Sequence, residues 1–276
     1  MTMSLRSKTI TFPGAQGAPL AARLDYPDGK PRAFVLFAHC FTCSKDHFAA
    51  ARIASELTAR GFAVFRFDFT GLGMSEGGFA DTSFSSNVQD LLAAASYLRE
   101  TLMPVDMLIG HSLGGTAVLA AAGDIPEAKA VATIGAPSDA AYIARTFAAH
   151  MDEIRNEGEA EITLAGRTFT IKRQFLKDIE TVRLNGRIAA LKKALLIFHA
   201  PADDVVSLEN ASAIFRVAKH PKSFIALSGA NHLLTAHEDA AYVAEMLSAW
   251  ASRYIPGKTA SCDETMIGEL HLRAAP

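Results

Sequence analysis

Val105-Asp106-Met107-Leu108-Ile109-Gly110-His111-Ser112-Leu113-Gly114-Gly115-Thr116-Ala117-Val118-Leu119-Ala120-Ala121-Ala122 passes from an apolar strand pattern, through G-x-S-x-G, into an Ala-rich helix pattern. The spacing predicts a strand over 105–109, a helix over 113–122 and a sharp turn at Ser112 between them. Small residues on either side of the serine have a steric purpose. They let strand and helix approach closely while Ser112 takes a strained backbone conformation that projects its hydroxyl. The turn also puts the Leu113 amide at a helix N-terminus, where its N–H has no helical partner.

The same alternation of strand and helix extends in both directions. Upstream, strands are expected over 8–12 and 20–26 as an antiparallel pair, then over 33–38 and 62–67. A helix over 48–60, closed by Gly61, separates the last two, and Val88, Leu91, Leu92, Ala95, Leu98 and Leu102 mark one buried helical face. Downstream, strands over 129–134, 194–198 and 223–227 alternate with helices over 208–219 and 238–254. Parallel strands need crossover connections, so the expected fold class is α/β, a mostly parallel sheet with helices on both faces. Residues 1–255 are read as one domain, and 256–276, opening with Pro256-Gly257-Lys258, as a tail or linker. The alternation breaks over 136–190, a stretch too long for a plain loop. Helix-like 142–154, alternating 161–164 and 168–172 around Ala165-Gly166, and 175–188 make it an insertion. It is expected to lie over the sheet edge as a small lid.

Composition bounds the function. The 276 residues are 50% hydrophobic and 20% charged, which excludes disordered and low-complexity classes. With 27 Lys+Arg against 29 Asp+Glu, the net charge of −2 provides no cationic field for nucleic acid or anionic lipid. No apolar run approaches the ~20 residues that cross a bilayer, and no leader pattern opens the chain, so a cytoplasmic location is expected. Three cysteines are too few for a disulfide scaffold.

A serine hydroxyl reacts only when a base takes its proton. His232, in Ser228-Gly229-Ala230-Asn231-His232 after the last strand, is placed to swing back over the sheet. His237, His150 and His220 read as surface residues, and His111 as a packing residue inside the elbow. The orienting acid should follow an earlier strand, and Asp203 and Asp204 compete for the role. Successive side chains of an extended segment point to opposite sides, so only one can reach His232, and spacing does not choose. The oxyanion formed on attack needs two amide donors, for which Leu113 and Phe41 of His39-Cys40-Phe41-Thr42 are the candidates. Cys40-Phe41-Thr42-Cys43 is also a C-x-x-C. It is read as reduced thiols lining this loop, with an oxidation-sensitive pair as the alternative. No second Cys or His pair stands at metal-ligand spacing, and no dinucleotide fingerprint or P-loop occurs, so neither metal nor cofactor is expected.

Over about residues 20–254 the chain resembles the α/β-hydrolase superfamily. The resemblance rests on His39-Cys40-Phe41, Asp68-Phe69-Thr70-Gly71-Leu72-Gly73-Met74-Ser75, the elbow, His199-Ala200-Pro201-Ala202-Asp203-Asp204-Val205-Val206 and Gly229-Ala230-Asn231-His232. It implies Ser112 as nucleophile, His232 as base, Asp203 over Asp204 as acid, and the Phe41 and Leu113 amides as oxyanion hole. Cys40 stands where the family has Gly. The segments 39–46 and 67–73 are further similar to bacterial hydrolases that carry an OsmC-like domain. That likeness implies a longer relative linked to such a domain, for which the present length leaves no room.

The expected activity is that of a serine carboxylesterase on small, soluble, short-chain esters. Phe84, Phe147 and Phe175 are the candidate pocket residues. The expected partner is the ester alone, with no nucleic acid or membrane, and the protein a monomer or homodimer. A thioesterase or C–C bond hydrolase on the same residues, and a non-catalytic binding member of the fold, are the alternatives.

Overall fold

The computed structural model describes residues 6–164 and 166–255; the expected tail, with Cys262, lies outside the described residues. An antiparallel pair, β1 (Arg6–Pro13) and β2 (Pro19–Tyr26), leads into β3 (Ala33–Ala38), α1 (Phe48–Ala59) and β4 (Phe62–Phe67). Then come α2 (Phe84–Thr101), β5 (Met107–His111), α3 (Leu113–Ala121) and β6 (Ala130–Ile134). After an inserted segment the alternation returns with β9 (Ala194–His199), α7 (Leu208–Val217), β10 (Lys222–Ala226) and α8 (His237–Ala251). These eight strands form one sheet in the order β1-β2-β4-β3-β5-β6-β9-β10. The run from β4 to β10 is parallel, and β2 joins β4 antiparallel. Among the described residues no helix is long and apolar enough to cross a membrane.

Side chains alternate between the faces of this sheet with the period of two that strands impose. Val35 and Phe37 of β3, Val64 of β4 and Ile109 of β5 pack on the face covered by α1 and α8. Leu36, Phe65 and Leu108, one residue away, pack on the face covered by α2 and α3. Strands buried on both faces read as unbroken apolar runs, which is why β3 and β4 were legible to the residue.

β5 differs from its expected span. It continues past Ile109, because Gly110 and His111 still pair with Thr133 and Ile134 of β6. The whole reversal of direction therefore falls on Ser112.

The insertion contains a 3₁₀ stretch (Ala140–His150), α4 (Met151–Glu157), the hairpin β7 (Glu159–Leu164) and β8 (Arg167–Lys172), α5 (Arg173–Thr181) and α6 (Leu184–Ala189). The single helix expected over 142–154 is broken at Phe147, whose φ of −129° and ψ of 31° are not helical. That break accompanies complete burial of the Phe147 ring, 6.3 Å from Phe175. Ile154, Ile162, Phe169, Phe175 and Ile188 join the core under α2 and α3. The insertion's principal contacts with the rest of the chain are with α2, α3, α7 and the Phe79–Asp81 turn.

Candidate active site

Ser112 has φ 53° and ψ −124°, a region that L-residues with a Cβ rarely enter. What holds it there is the closeness of its neighbours. A Cβ on Gly110 would meet the Gly114 carbonyl oxygen at 2.2 Å, and one on Gly114 would meet the Ala38 and His39 carbonyls at 2.4 Å. Glycine at both ends is what allows β5, α3 and the end of β3 to converge. The Ser112 amide donates to the Ile134 carbonyl at 2.8 Å, fixing the elbow to β6.

The three distant side chains named from sequence come together. Ser112 Oγ lies 3.0 Å from His232 Nε2, and His232 Nδ1 lies 2.7 Å from Asp203 Oδ2. With Nδ1–H donating to the carboxylate, Nε2 is left as acceptor for the serine proton. Asp203 Oδ1 is taken up by the amides of Val205 (2.9 Å) and Val206 (2.7 Å), so the carboxylate has one oxygen anchored and one free for the imidazole. Burial alone would raise this carboxyl, but the bonds from His232, Val206 and Val205 outweigh it and hold it below the usual carboxylate range. Asp204 is exposed. Ser112 and His232 are each only 6% exposed, which keeps bulk water from competing for their hydrogen bond.

Three further histidines hold the frame, and sequence reasoning gave none of them this task. His111 Nε2–H donates to the main-chain carbonyl of His232 at 2.8 Å. His199 Nε2–H donates to the Val206 carbonyl at 2.7 Å, bracing the loop that carries Asp203. His39 accepts from the Phe69 amide on Nε2 (3.4 Å) and donates from Nδ1 to the Cys40 carbonyl (2.8 Å). Burial pushes His111 down to about 3 and His39 to about 4, so both rings are neutral near pH 7. The signal that was available is position: each stands at or just beyond a strand's carboxyl end, where backbone carbonyls need donors.

Because the peptide group is planar and trans, pinning the Cys40 carbonyl turns the Phe41 N–H the opposite way. Cys40 and Phe41 line a narrow cleft together with Leu113 and Gly114. Phe84 lines it too, with Phe69 and Leu72. Phe41 packs against Phe79 and Phe175, each at 5.7 Å, and Phe79 against Phe169 at 4.9 Å. Phe175 thus extends an aromatic wall behind Phe41, while Phe147 is buried one ring further back.

The C-x-x-C departs from its expected state. Cys40 and Cys43 are joined by a disulfide with Cα atoms 5.3 Å apart, so they are not free thiols. The turn that brings them together bonds the Cys43 amide to the Cys40 carbonyl at 3.1 Å and places Thr42 at φ 59°. Beyond it, fully buried Asp68 anchors the loop by taking the Lys45 ammonium at 2.9 Å, the Lys45 amide, and the Met74 amide at 2.9 Å.

Comparisons with known proteins agree with this architecture. Residues 29–158 match the family described as serine aminopeptidase, S33. The esterase domain of a Rhodothermus marinus protein is 47% identical, with a TM-score of 0.73 over 91% of this chain and 99% of that one. Est1E from Butyrivibrio proteoclasticus, solved with ferulic acid bound, has the same fold at 23% identity and a TM-score of 0.73, over 89% and 99% of the two chains. The mouse palmitoyl-protein thioesterase ABHD10, mitochondrial, is 27% identical over 179 residues, 62% of this chain and 59% of its own length. The chain spans less than two thirds of the length of the curated relatives it matches.

Proposed function

The chain belongs to the α/β-hydrolase superfamily and is of the serine-hydrolase type, and from that premise we propose that it cleaves short-chain carboxylic esters through an acyl-enzyme on Ser112. The observation that carries this reading is the unbroken line of hydrogen bonds from Ser112 Oγ through His232 to Asp203, at 3.0 and 2.7 Å. Ser112 Oγ attacks the acyl carbonyl as its proton passes to His232 Nε2. Asp203 holds the tautomer and stabilises the imidazolium without taking the proton itself. The amides of Phe41 and Leu113 receive the oxyanion, each such donor contributing roughly 3 kcal/mol in the transition state. His232 then returns the proton to the leaving alkoxide, and water repeats the sequence on the acyl-enzyme.

The short-acyl preference rests on the narrowness of the cleft and its aromatic wall, with Phe84 beside Phe41 and Phe175 behind. In this reading residues 136–190 are an inserted lid, since Phe175 reaches from it to the proposed oxyanion loop. The closer kinship with OsmC-linked hydrolases rests on segments 39–46 and 67–73 alone.

A fluorophosphonate probe tests the reading. It should label the native chain and leave Ser112→Ala unlabelled, and the native chain should turn over p-nitrophenyl acetate faster than long-chain homologues. Unlabelled native protein would overturn the enzymatic reading, and a preference for long chains would overturn the substrate class. The 27% likeness to a thioesterase supports a second reading. An ester and a thioester of the same acyl group, compared by kcat/KM, separate the two.

A further inference from the structure

One cluster of soft donors takes no part in the proposed acyl transfer. Between β3 and α1 the chain reads Cys40-Phe41-Thr42-Cys43-Ser44-Lys45-Asp46-His47, a C-x-x-C followed four residues later by a histidine. One ligand atom from each of Cys40, Cys43 and His47 lies within 4.8 Å of the other two. His47 Nδ1 is shielded from solvent and has no hydrogen-bond partner among the described residues. Buried polar atoms rarely stay unpaired, and the ring that carries this one also offers a nitrogen to the two sulfurs.

We propose that, once the disulfide is reduced, Cys40 Sγ, Cys43 Sγ and His47 form a three-ligand site for a thiophilic divalent cation of the zinc class. C-x-x-C is a recurrent zinc-ligand spacing, and two thiolates with one imidazole are a donor set that selects zinc over hard cations. Zinc–sulfur bonds of about 2.3 Å and zinc–nitrogen bonds of about 2.0 Å in a tetrahedron need ligand atoms roughly 3.5–3.8 Å apart. The Cα atoms of the two cysteines are already 5.3 Å apart, so the released sulfurs reach that separation by side-chain rotation, with the backbone turn intact. His47 needs only a small approach from its present distance. Water completes the fourth position.

The chemistry balances with a named reductant. A tertiary phosphine attacks one sulfur, water supplies oxygen to the phosphorus, and the products are a phosphine oxide and two thiols. The cation then displaces both thiol protons while His47 donates a neutral lone pair, so two protons are released for each cation bound. Disulfide and metal site exclude each other, because both use the same two sulfurs. The proposal is independent of the role of Ser112.

Cobalt(II) is the probe. The whole chain is reduced with a phosphine, freed of it without air, and titrated with Co²⁺. The expected result is sulfur-to-cobalt absorption in the near ultraviolet with strong tetrahedral bands in the red, saturating at a single equivalent and abolished by Zn²⁺. A pH-indicator dye should record about two protons released per cation. The unreduced chain and Cys43→Ser should give no such bands, and Cys262→Ser should give them unchanged. His47→Ala and the bulkier His47→Gln, each checked for folding by circular dichroism, should weaken binding by about tenfold or more. Absence of sulfur-to-cobalt absorption from the reduced native chain would overturn the site. So would bands that survive Cys43→Ser or vanish with Cys262→Ser, and so would unchanged affinity in a folded His47 variant.

Discussion

His111 Nε2 and the main-chain carbonyl of His232 are 2.8 Å apart although 121 positions separate the residues. This bond ties the elbow that presents Ser112 directly to the loop that presents the imidazole, with the two rings 5.3 Å apart. Ser112 and His232 are therefore carried by two segments that share one brace.

The His111 ring should leave a signature in the pH dependence of stability. Unfolded, it takes a proton near 6.5; folded, it refuses one until about 3. The unfolded state thus binds more protons in between, and stability falls as pH drops through that window by about 1.4 kcal/mol per pH unit from this ring. In His111→Gln the amide N–H can still serve the His232 carbonyl, but this slope disappears. Denaturant unfolding from about pH 7 to pH 5 measures it, and equal slopes in both proteins would refute the assignment.

Asp203→Asn should lower kcat by about 10⁴-fold with little change in KM, since the amide favours the wrong imidazole tautomer. Asp204→Asn, on an exposed side chain, should change kcat by less than about twofold. Steady-state kinetics on one short ester decides it, and the reverse ranking would mean that the acid is the neighbour. Because the Asp203 carboxyl is held low, its protonation should not set the acid limb of kcat/KM.

Backbone strain at Ser112 predicts an inverse relation between stability and activity. Ser112→Gly should lose activity and yet unfold at higher denaturant than Ser112→Ala, by about 1 kcal/mol, because only glycine enters φ 53° without penalty. Equal midpoints for the two variants would show that no strain is stored there.

Gly114→Ala tests the convergence of β3, β5 and α3. Its new methyl would lie 2.4 Å from two backbone carbonyl oxygens, which cannot rotate aside. A destabilisation of about 3 kcal/mol is expected, at the upper end for overpacking, with loss of fluorophosphonate labelling at temperatures where the variant is still folded. Native-like melting and labelling would show that the contact relaxes cheaply.

Reading the chain as a string was sufficient where the determining force is local. Strands β3 and β4 were legible because burial on both faces demands continuous apolar runs, and the elbow because only glycines at fixed offsets tolerate its contacts. The inserted segment was legible as elements and not as a placement: Phe147 breaks its helix to bury a ring that pattern alone left inside one continuous turn. By spacing alone Asp203 and Asp204 are equivalent, and only the resemblance to the family favoured Asp203. What separates them is that Val205 and Val206 hold one oxygen of Asp203 while the other faces His232.

Sequence by itself determined the alternation of elements, the class of fold and the sharp serine turn, because propensity, period and steric allowance act over a few residues. Tertiary structure decided how the Val205 and Val206 amides orient Asp203 toward the imidazole, that Cys40 and Cys43 are joined, and that His39, His111 and His199 serve as struts. Those outcomes depend on distances between segments far apart along the chain. Only the packing of a whole sheet and its helices sets such distances.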